Sequence, residues 1–331
     1  MVLMAFAGYG YDDSPMAKLT FRVTDSLGTP VTNAEVGVSF YLWSEKPSGA
    51  VGKTDTNGLF TVEGLCSVDA NCSFVKDGYY LTKYRHTFPN PRFEPNAVKA
   101  GKWQPWNPTT AIMLKEKRNP IPMCVKSAGF RLPKKGETFG FDFKAEDLVE
   151  PHGKGTQADI LLKCWGDKPI PLTHAVSRFL TLSWDNGNEG VIRKVRDLQS
   201  MFHSLHEAPD NGYNQKINLC YRRTNDKVLE NNEFPENEYL IFRSRVELDD
   251  EGKIVKAHYG KIFDIWFDIS ANNLEGAAVR FLYYFNPNEN DRNLEYDGKN
   301  NLLNPRDPHY APSDDSAKNQ KLATKNFSLA S

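Results

Sequence analysis

Apolar residues recur at alternate positions in run after run of this chain, and each run stops at a glycine, proline or asparagine. From Leu19, Leu-Thr-Phe-Arg-Val-Thr-Asp alternates, breaks at Ser26-Leu-Gly-Thr-Pro30 and resumes as Val31-Thr-Asn-Ala-Glu-Val-Gly-Val-Ser-Phe40. A period of two collects apolar side chains on one face of a strand, whereas a helix would need spacings of three and four. Lys53-Thr-Asp-Thr-Asn57-Gly58 supplies the positive φ angles of a tight turn, and Leu59-Phe-Thr-Val-Glu-Gly-Leu65 follows as the next strand. Ser73 to Tyr80 adds a strand and turn, and Thr110 to Lys115 closes the set. One-sided strands of this kind need a facing sheet, so the opening hundred residues are expected to form a sandwich.

The turn residues carry a resemblance. The order Val23 to Asp25, Gly28 to Val38, Thr54 to Phe60 and Lys76 to Tyr79 resembles the transthyretin-like (prealbumin-like), carboxypeptidase-regulatory-like domain over about a third of the chain. The resemblance implies a seven-stranded Greek-key sandwich of the accessory, Ig-like kind, one that stabilises, spaces or binds. That sandwich also resembles the core of intradiol dioxygenases, although the close His-x-His spacing of their iron set is absent. The segment from His86 to Pro108, with Trp103, Trp106 and five prolines, is a long insertion before the last strand. Its tryptophans either present a stacking surface for a ligand or cover the sandwich edge.

At 331 residues the chain is longer than one core usually serves, and two domains are expected. The expected division is a leader over 1–17, either the remnant of a clipped signal peptide or a flexible leader; the sandwich over 18–117; a β-rich domain of unknown function over 118–305; and a disordered tail over 306–331. Asn119-Pro-Ile-Pro-Met reads as an extended crossover between domains. Beyond it, alternating runs at Phe139 to Lys144, Ala158 to Trp165, Phe179 to Trp184, Val191 to Val195, Ile217 to Arg222, Tyr239 to Leu248, Ile254 to Ile269 and Ala277 to Phe285 predict a second, larger β-sandwich or jelly-roll-like body. A hairpin over Tyr239 to Gly260 is its clearest element, with a bulge expected at Gly260. One short helix is expected over Lys194 to His206, where Val195, Leu198, Met201, Phe202 and Leu205 fall at spacings near three and four. The fold class is thus mainly β. The ending Phe285-Asn-Pro with Asp291-Arg-Asn-Leu-Glu295 is similar only to uncharacterised bacterial proteins, and Arg292 there reads as a structural donor.

Charge narrows the partners. Lys and Arg number 41 against 42 Asp and Glu, with no block of one sign, so there is no footprint for nucleic acid. No apolar run is long enough for a membrane-spanning helix. Dinucleotide, phosphate-loop and GxSxG patterns are missing, and no cofactor is implied. Asp185 to Glu189 and Asp210 to Asn214 are oxygen-rich, but they read as turns. Cys66 and Cys72 flank five residues and are a candidate disulfide, which argues for export to a periplasmic or extracellular compartment. His203, His206 and Glu207 are a candidate metal set on the expected helix, with His174 and His258 as distant further ligands.

The reading that follows is a non-catalytic exported or cell-envelope protein, structural or binding a glycan, peptide or envelope partner, with Trp103, Trp106 and Trp184 as candidate ligand contacts. A metal-dependent hydrolase with its site in the C-terminal domain, and a virion or appendage component, are the alternatives.

Overall fold

The structure, a computed structural model, describes residues 14–43, 48–167, 175–224, 227–269 and 276–304. The expected tail and most of the expected leader lie outside the described residues, as does His174. Every regular element among the described residues is a strand. The first nine are β1 (Met16–Thr24), β2 (Glu35–Phe40), β3 (Ser48–Lys53), β4 (Leu59–Leu65), β5 (Asp69–Val75), β6 (Thr82–Thr87), β7 (Val98–Lys99), β8 (Lys102–Trp103) and β9 (Thr109–Met113). The rest are β10 (Ile121–Leu132), β11 (Thr138–Asp142), β12 (Asp147–Leu148), β13 (Ile160–Asp167), β14 (Val176–Ser183), β15 (Gly190–Val195), β16 (Lys216–Arg223), β17 (Val228–Asn232), β18 (Glu238–Leu248), β19 (Ile254–Asp268), β20 (Ala277–Phe285) and β21 (Tyr296–Asn301).

The chain forms two compact units. One holds the described residues up to Lys117 together with Leu198–Phe202; the other holds Arg118–Asp197 and the described residues from His203 onward.

In the first unit, β1 pairs antiparallel with β4 and parallel with β9, and the short β7–β8 pair from the proline-rich insertion joins at Met16. The facing sheet runs β3-β2-β5-β6. Leu19, Phe21 and Val23 from one sheet meet Val36, Val38, Phe40 and Phe74 from the other, each almost fully buried. Phe21 and Phe74 pack edge to face at 5.2 Å. Asn57-Gly58 makes the expected turn, with Gly58 at φ +71° and the Asn57 and Leu59 amides donating to the Asp55 carboxylate at 2.8 Å. The turn does not close a hairpin. β3 and β4 belong to different sheets, so it carries the chain from one to the other.

The edge of β6 is occupied by Leu198–Phe202. The Lys83 amide donates to the Gln199 carbonyl at 2.8 Å, and the Met201 amide donates to the Leu81 carbonyl at 2.9 Å. Phe202, 1% exposed, stacks on Tyr80 at 4.8 Å, and Lys115 Nζ donates to the Phe202 carbonyl at 2.8 Å. These contacts replace the expected helix over Lys194 to His206. Its apolar residues share no face: Val195, Leu198 and Leu205 are 68%, 63% and 45% exposed while Phe202 is buried. Pairing with an open strand edge offers this segment backbone partners that a short isolated helix could not hold.

In the second unit two six-stranded sheets, β15-β18-β19-β20-β10-β21 and β12-β11-β13-β14-β16-β17, enclose a core that includes Phe141, Phe143, Leu162, Leu180, Phe242, Phe281 and Phe285. The β18–β19 hairpin turns at Asp249, whose carboxylate accepts the Lys253 amide at 2.8 Å. The first of these sheets is covered on both faces. Tyr239, Ile241, Ala257, Phe263, Tyr284, Leu294 and Tyr296 form a second apolar cluster on its other side, which explains why β19 is buried continuously from Ala257 to Phe263. Gly260 is not the bulge. It stays in register with both neighbours, and a Cβ there would fall 2.2 Å from the Tyr284 carbonyl oxygen, so glycine permits close strand packing. The register shifts lie at Arg245 and Asp264, both at φ +54°. The proline-flanked crossover is itself strand β10, with Pro120 and Pro122 at its very start, where the ladder tolerates them.

All five cysteines are buried, and Cys66 and Cys72 stand as free thiols in this structure. The Cys66 Sγ donates to the Asp69 carbonyl at 3.2 Å and the Cys72 Sγ to the Ala70 carbonyl at 3.8 Å. The five intervening residues lead from β4 in one sheet to β5 in the other, and both thiols enter the same core. Burial pushes Cys66, Cys72 and Cys164 up to about 12 and Cys124 up to about 11, leaving almost no thiolate at neutral pH. Denatured, unreduced protein is therefore expected to titrate all five thiols with a chromogenic disulfide reagent, and native protein almost none. Two thiols that appear only after reduction would show instead that a disulfide such as Cys66–Cys72 forms.

Candidate functional site

The candidate residues from the sequence do not converge. Trp103 is 2% exposed, stacks on Phe88 at 4.8 Å and donates its Nε1 to the Cys66 carbonyl at 2.8 Å, so it belongs to the sandwich core. Trp106 is half-buried, with the Lys102 ammonium 4.7 Å above its ring. Trp184 lies in the core of the other unit. None of the three forms the exposed stacking surface that the sequence suggested.

The candidate metal set also comes apart. Without a helix, His203 and His206 lose the one-turn spacing that made them neighbours. The His203 Nδ1 donates to the Asp197 carbonyl at 2.8 Å. His206 and Glu207 border a polar hollow of about 280 Å³ with Arg118, Asn119 and the 290–295 loop, where Glu207 accepts from Arg292 at 3.3 Å. Among the described residues no three His, Cys, Asp or Glu side chains gather as a metal ion would require.

A charged cluster in the second unit is closed upon itself. Arg245 donates to Asp159 through Nε and Nη2 at 2.7 Å and to Asp142 at 2.8 Å. Ser244 and the Phe143 amide complete Asp159, and four backbone amides, from Lys144, Ala145, Thr156 and Gln157, complete Asp142. With every acceptor filled and the carboxylates buried, this is a structural latch rather than a site.

The latch and its surroundings titrate. Burial would raise the Asp142 carboxyl, but its backbone donors and the Arg245 charge overcome that and hold it below its usual value. Its contribution to stability is present above the unfolded value of about 3.9 and is lost as pH falls through the lowered folded value. His258 is lowered chiefly by burial, against the bond to the Asn286 carbonyl and helped by the charges of Lys144 and Arg245, while Asp159 opposes them. Its contribution is present above about 6.5 and disappears as pH falls through its depressed folded value. Glu189, raised by burial, runs the other way: its contribution is present at low pH and lost as pH rises through the raised value. Urea midpoints measured from pH 7 to 3 are expected to decline first below about 6.5, where His258 begins to charge. The variant His258→Gln is expected to flatten that upper stage and leave the lower one; an unchanged profile would exclude His258.

An open site lies on the outer face of the first unit's four-stranded sheet. Beyond Phe40, the last core residue of β2, the chain continues as Tyr41-Leu-Trp43 and is fixed against the start of β5. The Tyr41 amide donates to the Asp69 carbonyl at 2.8 Å, the Ser67 amide to the Tyr41 carbonyl at 2.7 Å and the Trp43 amide to Ser67 Oγ at 3.1 Å. Tyr41 and Trp43 are 45% and 60% exposed, and their rings meet edge to face at 5.4 Å. Beside them is a shallow cleft of about 380 Å³ lined by Tyr41, Val68, Asp69, Asn71 and Arg85. Across β5 and β6, Asn71 and Arg85 are cross-strand partners, and the Arg85 Nε donates to the Asp69 carboxylate at 3.1 Å. Asp69 is buried while the Arg85 side chain is 66% exposed, so a guanidinium with free N–H groups stands at the cleft mouth, held from beneath.

Sequence reasoning passed over this pair because it weighed tryptophans in the longest loop. The available signal was the alternation itself: Tyr41 and Trp43 continue the period of two past the last core position, which leaves two aromatic rings with no facing sheet.

Comparison with known proteins supplies no family. No family model matches the chain, and no curated protein matches it. Among solved structures it is similar to 3-chlorocatechol 1,2-dioxygenase from Rhodococcus opacus, at 13% identity over 32% of this chain and 62% of that one, with a TM-score of 0.25. It is also similar to a streptococcal ancillary pilin, at 11% identity over 79% of this chain and 61% of that one, with a TM-score of 0.22. A shaft pilin from Lactobacillus rhamnosus GG is 13% identical over 74% of this chain and 92% of its own, with a TM-score of 0.20. The chain spans less than two thirds of the length of the dioxygenases it matches. Likenesses at this level carry nothing about function.

Proposed function

We propose that this chain is a non-catalytic binding protein of the cell envelope or its exterior, and that its first sandwich binds a glycan on the outer face of the β3-β2-β5-β6 sheet. One observation carries the reading: the exposed Tyr41–Trp43 pair, fixed by backbone bonds, borders a cleft whose polar lining is Asp69, Asn71 and Arg85. Sugar rings offer C–H faces that stack on aromatic rings and hydroxyls that pair with planar carboxylate, amide and guanidinium groups, the combination present here. Because the backbone of Tyr41 and Trp43 is already held by hydrogen bonds, little backbone entropy is lost on binding. Glycan polymers are displayed at and outside the envelope, which is why the proposal places the chain there. We further assign the first sandwich to the transthyretin-like, carboxypeptidase-regulatory-like kind, a reading supported by its turn residues and by the parallel β1–β9 pair.

A glycan array probed with the full chain tests the proposal. Trp43→Ala is expected to weaken any binding about tenfold, near 1.4 kcal/mol, while the unfolding midpoint of the first unit stays put, since Trp43 is 60% exposed. Equal binding by the wild type and Trp43→Ala, or none to any glycan, would refute it.

A further inference from the structure

The outer face that holds the cleft has a second property. Alternation from the buried residues Val36, Val38, Phe40, Cys72 and Phe74 assigns Ser39, Asn71, Ser73, Lys83 and Arg85 to the outer face, together with Gly37, which is itself buried. Cross-strand register lines them up in two rows, Ser39 with Asn71 with Arg85, and Gly37 with Ser73 with Lys83. The floor across β2 and β5 is therefore made of glycine, serine and asparagine, with the exposed Val51 of β3 beside Gly37. Its rim on β6 carries two cations two residues apart, about 6.6 Å along the strand. The acidic side is thin. Asp69 is buried beneath Arg85, and Glu35 faces Lys53 across β2 and β3. Lys83 is exposed and has no carboxylate partner among the described residues.

From this we infer that the glycan taken by the first sandwich is acidic, a saccharide bearing carboxylates such as uronate or sialate, stacked on Tyr41 and Trp43 with its acid groups along Arg85 and Lys83. The inference rests on the glycan-binding reading of this face. Arg85 is suited to the task because the buried Asp69 holds its Nε and Nη2 and leaves its Nη1 N–H groups without a protein partner among the described residues, on a side chain that lines the cleft and is open to a carboxylate. Lys83 adds a point charge that needs no fixed geometry, which fits a polymer whose acid groups recur along its length. A neutral sugar would gain from the aromatic pair but would leave the rim cations with water alone.

The experiment uses the full chain on an array of neutral, uronate-bearing and sialylated oligosaccharides, followed by titration of the best acidic ligand and its neutral methyl ester. Acid is expected to bind about tenfold more tightly than ester, and the advantage is expected to shrink between 50 mM and 500 mM salt, as screening of exposed charges requires. Lys83→Gln, a substitution at an exposed position, is expected to reduce the ratio of acid to ester affinity several-fold, and Arg85→Gln to reduce it further. Because Arg85→Gln leaves Asp69 without its cation, Lys83→Gln remains decisive if that variant is poorly folded. Acid and ester bound equally, or a ratio unchanged by Lys83→Gln, would overturn this inference and leave the glycan reading standing. If no glycan of either class binds, both fall.

Discussion

Arg245→Ala is expected to lower the stability of the second unit by about 3–5 kcal/mol, the cost of stranding buried charge. Arg245 is the only cation bonded to Asp142 and Asp159 among the described residues, and both carboxylates are almost fully enclosed. Removing it leaves two like charges within one pocket, which the backbone amides and the Ser244 hydroxyl then have to stabilise. Arg245→Lys is expected to recover less than half of the loss, because an ammonium cannot span the three carboxylate oxygens that the guanidinium reaches from Nε and Nη2. Urea unfolding of the full chain, followed by fluorescence and amide exchange in β11 and β18, measures both. A loss under 1 kcal/mol for Arg245→Ala would mean that water reaches the pocket and the latch is not sealed.

Phe202→Ala carries the next largest expected effect, about 3–5 kcal/mol, the usual cost of emptying a buried aromatic position. What sets this residue apart is where the loss registers. Phe202 stacks on Tyr80 and follows directly on the three residues that pair with the β6 edge, so the expected change is in the first sandwich, whose own strands end at Met113. Exchange protection of the Lys83 amide, which donates to Gln199, is expected to drop with it. Leu198→Ala at the exposed start of the same segment is the control, expected to stay within about 0.5 kcal/mol. Equal effects for the two substitutions would deny Phe202 its anchoring role.

What the sequence disclosed and what it withheld follow from the range of the forces involved. Strands β13, β14, β16 and β20 were legible because alternation is a local consequence of burying one face, and β18 because its hairpin turn at Asp249 marks its end. Strand β10 was hidden, since Pro120 and Pro122 are valid signals of an extended chain but do not say whether a sheet awaits it. Strand β21 was hidden because Tyr296–Asn301 is polar and gains its place from pairing with β10, some 175 residues earlier in the chain. The expected helix failed for the same kind of reason: spacing near three and four described residues 195–205 correctly, but the open edge of β6 made a better offer than an isolated helical turn. At the candidate site, the cleft needed Tyr41, Asp69 and Arg85 from three separate segments, and only the outward-facing aromatic pair left a trace in the local pattern.

The pairing of Leu198–Phe202 with β6 also fixes an order of events during synthesis. Roughly 115 residues separate Lys83 from Gln199, about 6–23 s at a ribosome adding 5–20 residues per second. Once Met113 has been made, the nascent first sandwich has every strand it needs except the segment that seals its side, and it stays so until Leu198–Phe202 emerges. During that interval the unpaired amides and carbonyls of the β6 edge are a template on which a strand of another chain can pair.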